Sequence, residues 1–206
     1  MRRFYGWATP NSQRVSIMLE ECGLPYEAIG VNIRAREQFA PAIVALNPYG
    51  KIPILVEDGM PPIFESGAIL MHLAETQARL LPRDPAQRAE TLAWLMVALT
   101  SLGPMTGQAH HWTDLAPEKP EAARRHTVGL VERVYRLLEG RLTYQPHLAG
   151  ADYSIADIAA YPWIARHAWA ALSLDDWPAI ARWFAEVGAR PAVQRGMRVP
   201  AGARLD

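Results

Sequence analysis

Lys51-Ile52-Pro53 sets a proline behind a residue biased to extended geometry, just ahead of the apolar run Ile54-Leu55-Val56. Phe64-Glu65-Ser66-Gly67 puts an acid, a hydroxyl and a glycine at the mouth of a predicted helix, where backbone N–H groups lack partners and attract anions. The two stretches together suit a small peptide carrying free carboxylates. Thr9-Pro10-Asn11 opens another predicted helix, with threonine as N-cap and proline in the first helical position. A sulfur held at that N-terminus would be pushed toward thiolate. Lowering a thiol from a pKa of about 8.5 to about 6.5 needs about 2.7 kcal/mol. A helix terminus supplies about 1 to 2 kcal/mol, and a hydrogen bond to a charged group roughly 1.5 to 3. The dipole plus one donor, from Thr9 or Asn11, is therefore sufficient.

The chain itself has little sulfur chemistry to offer. Cys22 is its single cysteine, so no intramolecular disulfide, CxxC pair or cysteine-based zinc site can form. It falls on an apolar helical stripe, where packing is the expected role, and a reacting sulfur would have to arrive with a bound molecule. His110 and His111 are adjacent and would point in different directions on a helix. With only Asp114 nearby they make no metal site, and shaping a cleft is the expected role. Trp112, Trp163 and Trp169 are core residues by default that could face the same cleft.

Composition narrows the classes. The 206 residues balance 21 basic against 21 acidic side chains, which argues against a nucleic-acid partner. No apolar run approaches the roughly 20 residues of a membrane span. Met1-Arg2-Arg3 leads straight into Phe4-Tyr5-Gly6 without a long apolar stretch, so no signal peptide is expected and the expected compartment is the cytoplasm.

The elements that must position these residues follow from hydrophobic period. Met1 to Gly6 reads as a strand and Pro10 to Cys22 as an amphipathic helix with Val15, Met18, Leu19 and Cys22 on one face, stopped by Gly23 and Pro25. Tyr26 to Asn32 reads as a second strand and Pro41 to Leu46 as a short helix. Ile52 to Glu57 and Pro62 to Phe64 form a hairpin turned at Asp58-Gly59, and Ser66 to Gln77 is helical. This order predicts a four-stranded mixed sheet with helices packed on it, an α/β N-terminal domain over 1–80. Residues 81–86 form a linker, and 87–206 an all-α domain. Its predicted helices cover Pro85 to Leu102, Pro120 to Leu142, Ser154 to Ala170 and Pro178 to Gly188, with a kink or end expected at Gly103-Pro104. Ser154-Ile155-Ala156-Asp157 has the form of a capping box, flanked by Tyr153 and Ile158 as a staple, and its role is structural.

In this order and spacing, Thr9-Pro10-Asn11, Asn47-Pro48-Tyr49-Gly50-Lys51-Ile52-Pro53, Phe64-Glu65-Ser66-Gly67, Gly103-Pro104-Met105 and Gly107-Gln108-Ala109-His110-His111-Trp112 resemble the cytosolic glutathione transferases, and most closely their bacterial nu-type branch. The resemblance covers nearly the whole chain. It implies a thioredoxin-like first domain, a helical second domain with a second-substrate cleft, a homodimer, and glutathione as co-substrate without a metal. It further implies a cis Pro53 that lets the Ile52 backbone pair with the glutathione peptide, Glu65 on its ammonium, Ser66 on its γ-glutamyl carboxylate, and Lys51 and Gln38 toward its glycyl end. Gln108, His111 and Trp112 would line the cleft. The branch also places an arginine on the long second-domain helix. Here that stretch reads Arg124-Arg125-His126, and the role stays open among Arg124, Arg125 and His126, with Arg125 the candidate named and a solvated basic face the alternative. Tyr5 lies near the family's catalytic-tyrosine position but is poorly placed for that role. The implied reaction is glutathione-dependent reduction of small disulfides. Conjugation to an electrophile, a peroxidase activity, and a non-catalytic binding protein are its rivals.

Overall fold

The computed structural model describes residues 1–204, which form two compact units: 1–79 with the segment from Ala189 onward, and Leu80–Gly188. In the first unit β1 (Arg2–Gly6) and β2 (Glu27–Gly30) run parallel, with α1 (Pro10–Cys22) as the crossover. The short helix α2 (Pro41–Val44) precedes β3 (Ile54–Glu57) and β4 (Ile63–Phe64), an antiparallel hairpin. The sheet order is β2-β1-β3-β4, with β3 antiparallel to β1, the mixed four-stranded sheet expected. The helix α3 (Ser66–Gln77) packs with α1. Their shared core buries Phe4, Ile17, Met18, Leu19, Leu55 and Leu70.

The second unit is helical throughout. Its first helix does not end at Gly103-Pro104. α4 (Pro85–Met96) passes into a π turn at Val97–Leu102, continues as α5 (Gly103–His110), and closes in a second π turn at His111–Leu115. Pro104 has no N–H to give, and the wider turn ahead of it lets the helix continue without that bond. Gly103 leaves little room there: a Cβ would sit 3.1 Å from the Trp163 indole.

Beyond it lie α6 (Glu121–Tyr144), α7 (Ile155–Ile164) and α8 (Pro178–Gly188). α7 starts on the expected capping box and is buried along its whole length, but it stops at Ile164 and a separate 3-10 turn spans His167–Ala170. Among the described residues no helix is long and apolar enough to cross a membrane.

One element had no counterpart in the sequence reading. α9 (Pro191–Gly196) packs on α1, so the chain from Ala189 groups with the first unit, whereas the sequence expectation left it in the helical domain. The cause is a close backbone approach. A Cβ on Gly196 would come within 2.6 Å of Ile17 N, while Ser16 Oγ donates to the Gly196 carbonyl at 2.7 Å. Gln13 Nε2 adds a bond to Met197 O at 3.0 Å, and the Arg190 guanidinium clasps Glu21 at 2.7 and 2.9 Å. The segment from Val199 is tied where it is described: Trp7 Nε1 donates to Arg204 O at 2.9 Å. Residues 205 and 206 lie outside the described residues.

Candidate functional site

Sheet register brings the three chemical stretches to one edge. Tyr5 pairs with Ile54, and Ile54 with Phe64. β1 therefore leaves, β3 enters and β4 leaves at the same end of the sheet. Thr9-Pro10-Asn11 follows β1, Lys51-Ile52-Pro53 precedes β3, and Glu65-Ser66 follows β4. Between them is a recess of about 90 Å³ lined by Asn11, Asn47, Lys51, Ile52, Pro53, Glu65 and Ser66. A space of that size holds the head group at one end of a small peptide.

Each wall has a local cause. The Ile52–Pro53 peptide is cis, as expected. Asn47 is buried and organises the loop before it. Its Nδ2 donates to Lys51 O at 2.8 Å, and its Oδ1 accepts from Tyr49 N at 3.0 Å. Lys51 is exposed and its ammonium lies over the Tyr49 ring at 4.0 Å. Glu65 is the N-cap of α3, yet its side chain makes no capping bond, and its φ of 69° is unfavourable for a residue with a Cβ. Such backbone strain concentrates where a side chain must be aimed at a ligand. Ser66, the first residue of α3, is buried and presents its hydroxyl and helix-terminal N–H together.

Thr9 takes a narrower part than the sequence suggests. Its Oγ1 accepts from Ser12 N at 3.3 Å and donates to Ser12 Oγ at 3.0 Å, so the hydroxyl is engaged in starting α1. Asn11 lines the recess and Thr9 does not. Gln38 also lies outside it, although its backbone runs beside Gly50, and its Oε1 is shielded without a hydrogen-bond partner. Cys22 is half-buried at the far end of α1, eleven residues and therefore about 16 Å from Asn11 along the axis. Burial pushes its thiol above the ordinary value, the opposite of an activated nucleophile.

Arg14 went unnoticed in the sequence. It follows Asn11 by three positions, hence on the same face of α1. It is buried, and Nη1 donates to Ser66 Oγ at 3.1 Å. Its Nε and Nη2 have no hydrogen-bond partner. Burial lowers its pKa to about 9 against the pull of Glu65. The one available signal was its spacing from Asn11. A charged residue in a helix is read by default as solvated, which is why the signal was missed.

The remaining candidates belong to the helical unit. Arg124 is held by both carboxylate oxygens of Glu121 at 2.8 Å, while Arg125, largely exposed, lies 3.8 Å from the same carboxylate. Gln108 and His111 are exposed and Trp112 half-buried, with the His111 ring edge-on to Trp112 at 4.7 Å. His110 instead stacks on Trp169 at 4.0 Å and approaches Asp114 at 3.5 Å. Burial lowers its pKa, with Asp114 opposing. Among the described residues no group of three or more His, Cys, Asp or Glu side chains is placed to hold a metal ion.

Comparison with known proteins identifies the family. Residues 8–76 match the glutathione S-transferase N-terminal domain, and residues 91–191 the C-terminal domain. The chain is 39% identical over 198 residues to the disulfide-bond oxidoreductase YfcG of Escherichia coli, covering 92% of this chain and 91% of that protein. It is 36% identical to the disulfide-bond oxidoreductase YghU of the same organism, covering 94% and 73%. A glutathione transferase from Burkholderia graminis, crystallised with two glutathione molecules per subunit, superposes with a TM-score of 0.91 at 39% identity over 98% of this chain and 89% of that one. Another from Pseudomonas putida, with one glutathione disulfide per subunit, gives 0.91 at 37% over 97% and 91%. A four-stranded mixed sheet followed by a helical unit, with both halves of the family matched in order, leaves one conclusion: this chain belongs to the glutathione S-transferase family.

Proposed function

We propose that the protein binds glutathione in the recess and uses it to reduce small disulfides. One observation carries this reading. Asn11 lines the same recess as Glu65 and Ser66, whereas the chain's own cysteine lies at the other end of α1. The thiol is therefore the ligand's. Ser66 and the α3 N-terminus take the γ-glutamyl carboxylate, Glu65 the ammonium, and Ile52 the peptide backbone, with Lys51 and Gln38 toward the glycyl end. Asn11 and the α1 N-terminus hold the sulfur as thiolate, and Thr9 fixes where that terminus begins. The thiolate attacks one sulfur of the disulfide, forming a mixed disulfide and releasing one thiolate. A second glutathione thiolate then attacks the mixed disulfide, giving glutathione disulfide and the second thiolate, and each released thiolate takes up a proton.

Gln108, His111 and Trp112 are assigned to the second substrate and Arg125 to a further glutathione contact. We place the protein in the cytoplasm as a homodimer. An apolar groove of about 240 Å³ on the helical unit, lined by Val97, Met105, Leu130 and Leu137 among others, supports the dimer.

Steady-state turnover of glutathione with a small disulfide and with an aromatic halide tests the reaction, alongside calorimetric titration with reduced and oxidised glutathione. Disulfide reduction should exceed conjugation, with two thiol equivalents per site, and Cys22→Ser should leave it nearly unchanged. A folded Cys22→Ser protein without disulfide reduction would overturn the proposal.

A further inference from the structure

We infer that Arg14 is a positioning residue for the ligand's α-carboxylate, acting through Ser66 and completing, with Glu65, a receptor for a free amino-acid head group. A guanidinium can only donate, so at the contact with Nη1 the Ser66 oxygen must accept. The single proton of that hydroxyl is then directed away from Arg14 and is available to a carboxylate in the recess. Without Arg14 the hydroxyl can turn and offer a lone pair, which would repel the same carboxylate. Arg14 thus fixes which end of the Ser66 dipole the ligand meets.

Charge placement supports the same assignment. Glu65 is a recess wall without a capping bond, and Arg14 is buried one helical turn behind Asn11 with two nitrogens unpartnered. A negative group for an ammonium therefore lines the recess, and a buried positive group stands behind its Ser66 wall. A buried cation with unmet donors is unfavourable in the empty protein and becomes less so when an anion binds nearby. A γ-linked glutamyl residue offers a free α-ammonium and α-carboxylate on the same carbon. An analogue lacking only that carboxylate, γ-aminobutyryl-cysteinyl-glycine, keeps the ammonium on the corresponding carbon.

The inference rests on the proposed placement of the carboxylate at Ser66, and the experiment separates the two. Binding of glutathione and of γ-aminobutyryl-cysteinyl-glycine is measured by calorimetry on wild type, Arg14→Met and Arg14→Lys. Wild type should prefer glutathione. Arg14→Met should weaken glutathione about tenfold or more, the scale of a charged hydrogen bond, and the analogue less than about twofold. Arg14→Lys should recover most of the preference. In turnover the loss should fall on KM rather than kcat, because the carboxylate is remote from the reacting sulfur. Equal weakening of both ligands, or an undiminished preference in Arg14→Met, overturns the role of Arg14 and leaves the carboxylate at Ser66 standing. A wild type that does not prefer glutathione over the analogue removes both. Should Arg14→Met not fold, Arg14→Leu and Arg14→Gln are measured in its place: a preference reduced in the folded variant supports the inference and an undiminished one overturns it.

Discussion

Asp157 in the helical unit and Arg14 in the first unit are both shut away from water, and they are treated in opposite ways. Asp157 has two donors on each carboxylate oxygen: Leu148 N and Trp183 Nε1, both at 2.9 Å, on one, and Ser154 N at 3.0 Å and Ser154 Oγ at 3.1 Å on the other. Burial pushes its carboxyl above the usual range, and the Leu148 amide, the Trp183 indole, His147 and the Ser154 amide pull against that. Arg14 has a single bond and two orphaned nitrogens. A buried charge with every partner supplied ties secondary elements together. One left incomplete beside a recess is set up for something the chain does not itself provide. Burial alone does not separate structure from function, whereas the count of partners does.

The largest effect belongs to the complete site. Asp157→Ala strands the Leu148 amide, the Trp183 indole and the Ser154 pair at once, and should lower stability on the order of 4 kcal/mol in urea unfolding. Glutathione affinity of the remaining folded protein should hold. A loss below about 1 kcal/mol would break the contrast with Arg14.

Next in size is a comparison within the first turn of α1. Asn11→Ala should lower kcat/KM for disulfide reduction about 10- to 100-fold with little change in melting temperature, the value of one hydrogen bond to a thiolate. Thr9→Ala should instead cost about 1 kcal/mol of stability, as an N-cap does. If Thr9→Ala slows turnover more than Asn11→Ala, the donor is Thr9 and the Ser12 contacts rearrange when ligand binds.

Much of the fold was legible because it is local. The crossover helix with its Thr9 cap, the hairpin at Asp58-Gly59 and the box at Ser154 each depend on residues a few positions apart. Site residues could be read where a motif joins a turn to a helix start, as at Glu65-Ser66. What escaped depends on distant partners. Gly196 matters because Ile17 lies against it, nearly 180 residues away. Gly103-Pro104 reads as a break because the π turn that accommodates the proline has no sequence signature. Arg14 reads as surface because nothing near it in sequence announces Ser66.

Arg14 in the unliganded protein gives a smaller but sharper test. Arg14→Met removes two unmet donors along with one good bond, and substitutions of this kind are often neutral or stabilising. Its unfolding free energy should stay within about 1 kcal/mol of wild type or rise. The thermal shift produced by saturating glutathione should shrink in the same variant. A large destabilisation without ligand would make Arg14 a fastener like Asp157.

Glu57 provides the smallest and most diagnostic effect, because it is fully partnered without being deeply buried. On β3 it meets Arg2 and His72. Burial works to raise its carboxyl, but the His72 and Arg2 bonds outweigh that and hold it below the ordinary 4.5. Its pKa is depressed on folding, so the stability it adds is present above pH 4.5 and is lost as pH falls below that through the folded value. Glu57→Gln should therefore lower stability modestly at pH 7, because solvent already screens the group, and flatten the acid limb, the two proteins converging as pH falls below 4.5. A Glu57→Gln loss at pH 7 as large as that of Asp157→Ala would mean that partner number governs by itself. A small loss at pH 7 that vanishes in acid would mean that partners matter in proportion to the water they replace, and under that rule the two unmet nitrogens of Arg14 weigh as heavily as its burial suggests.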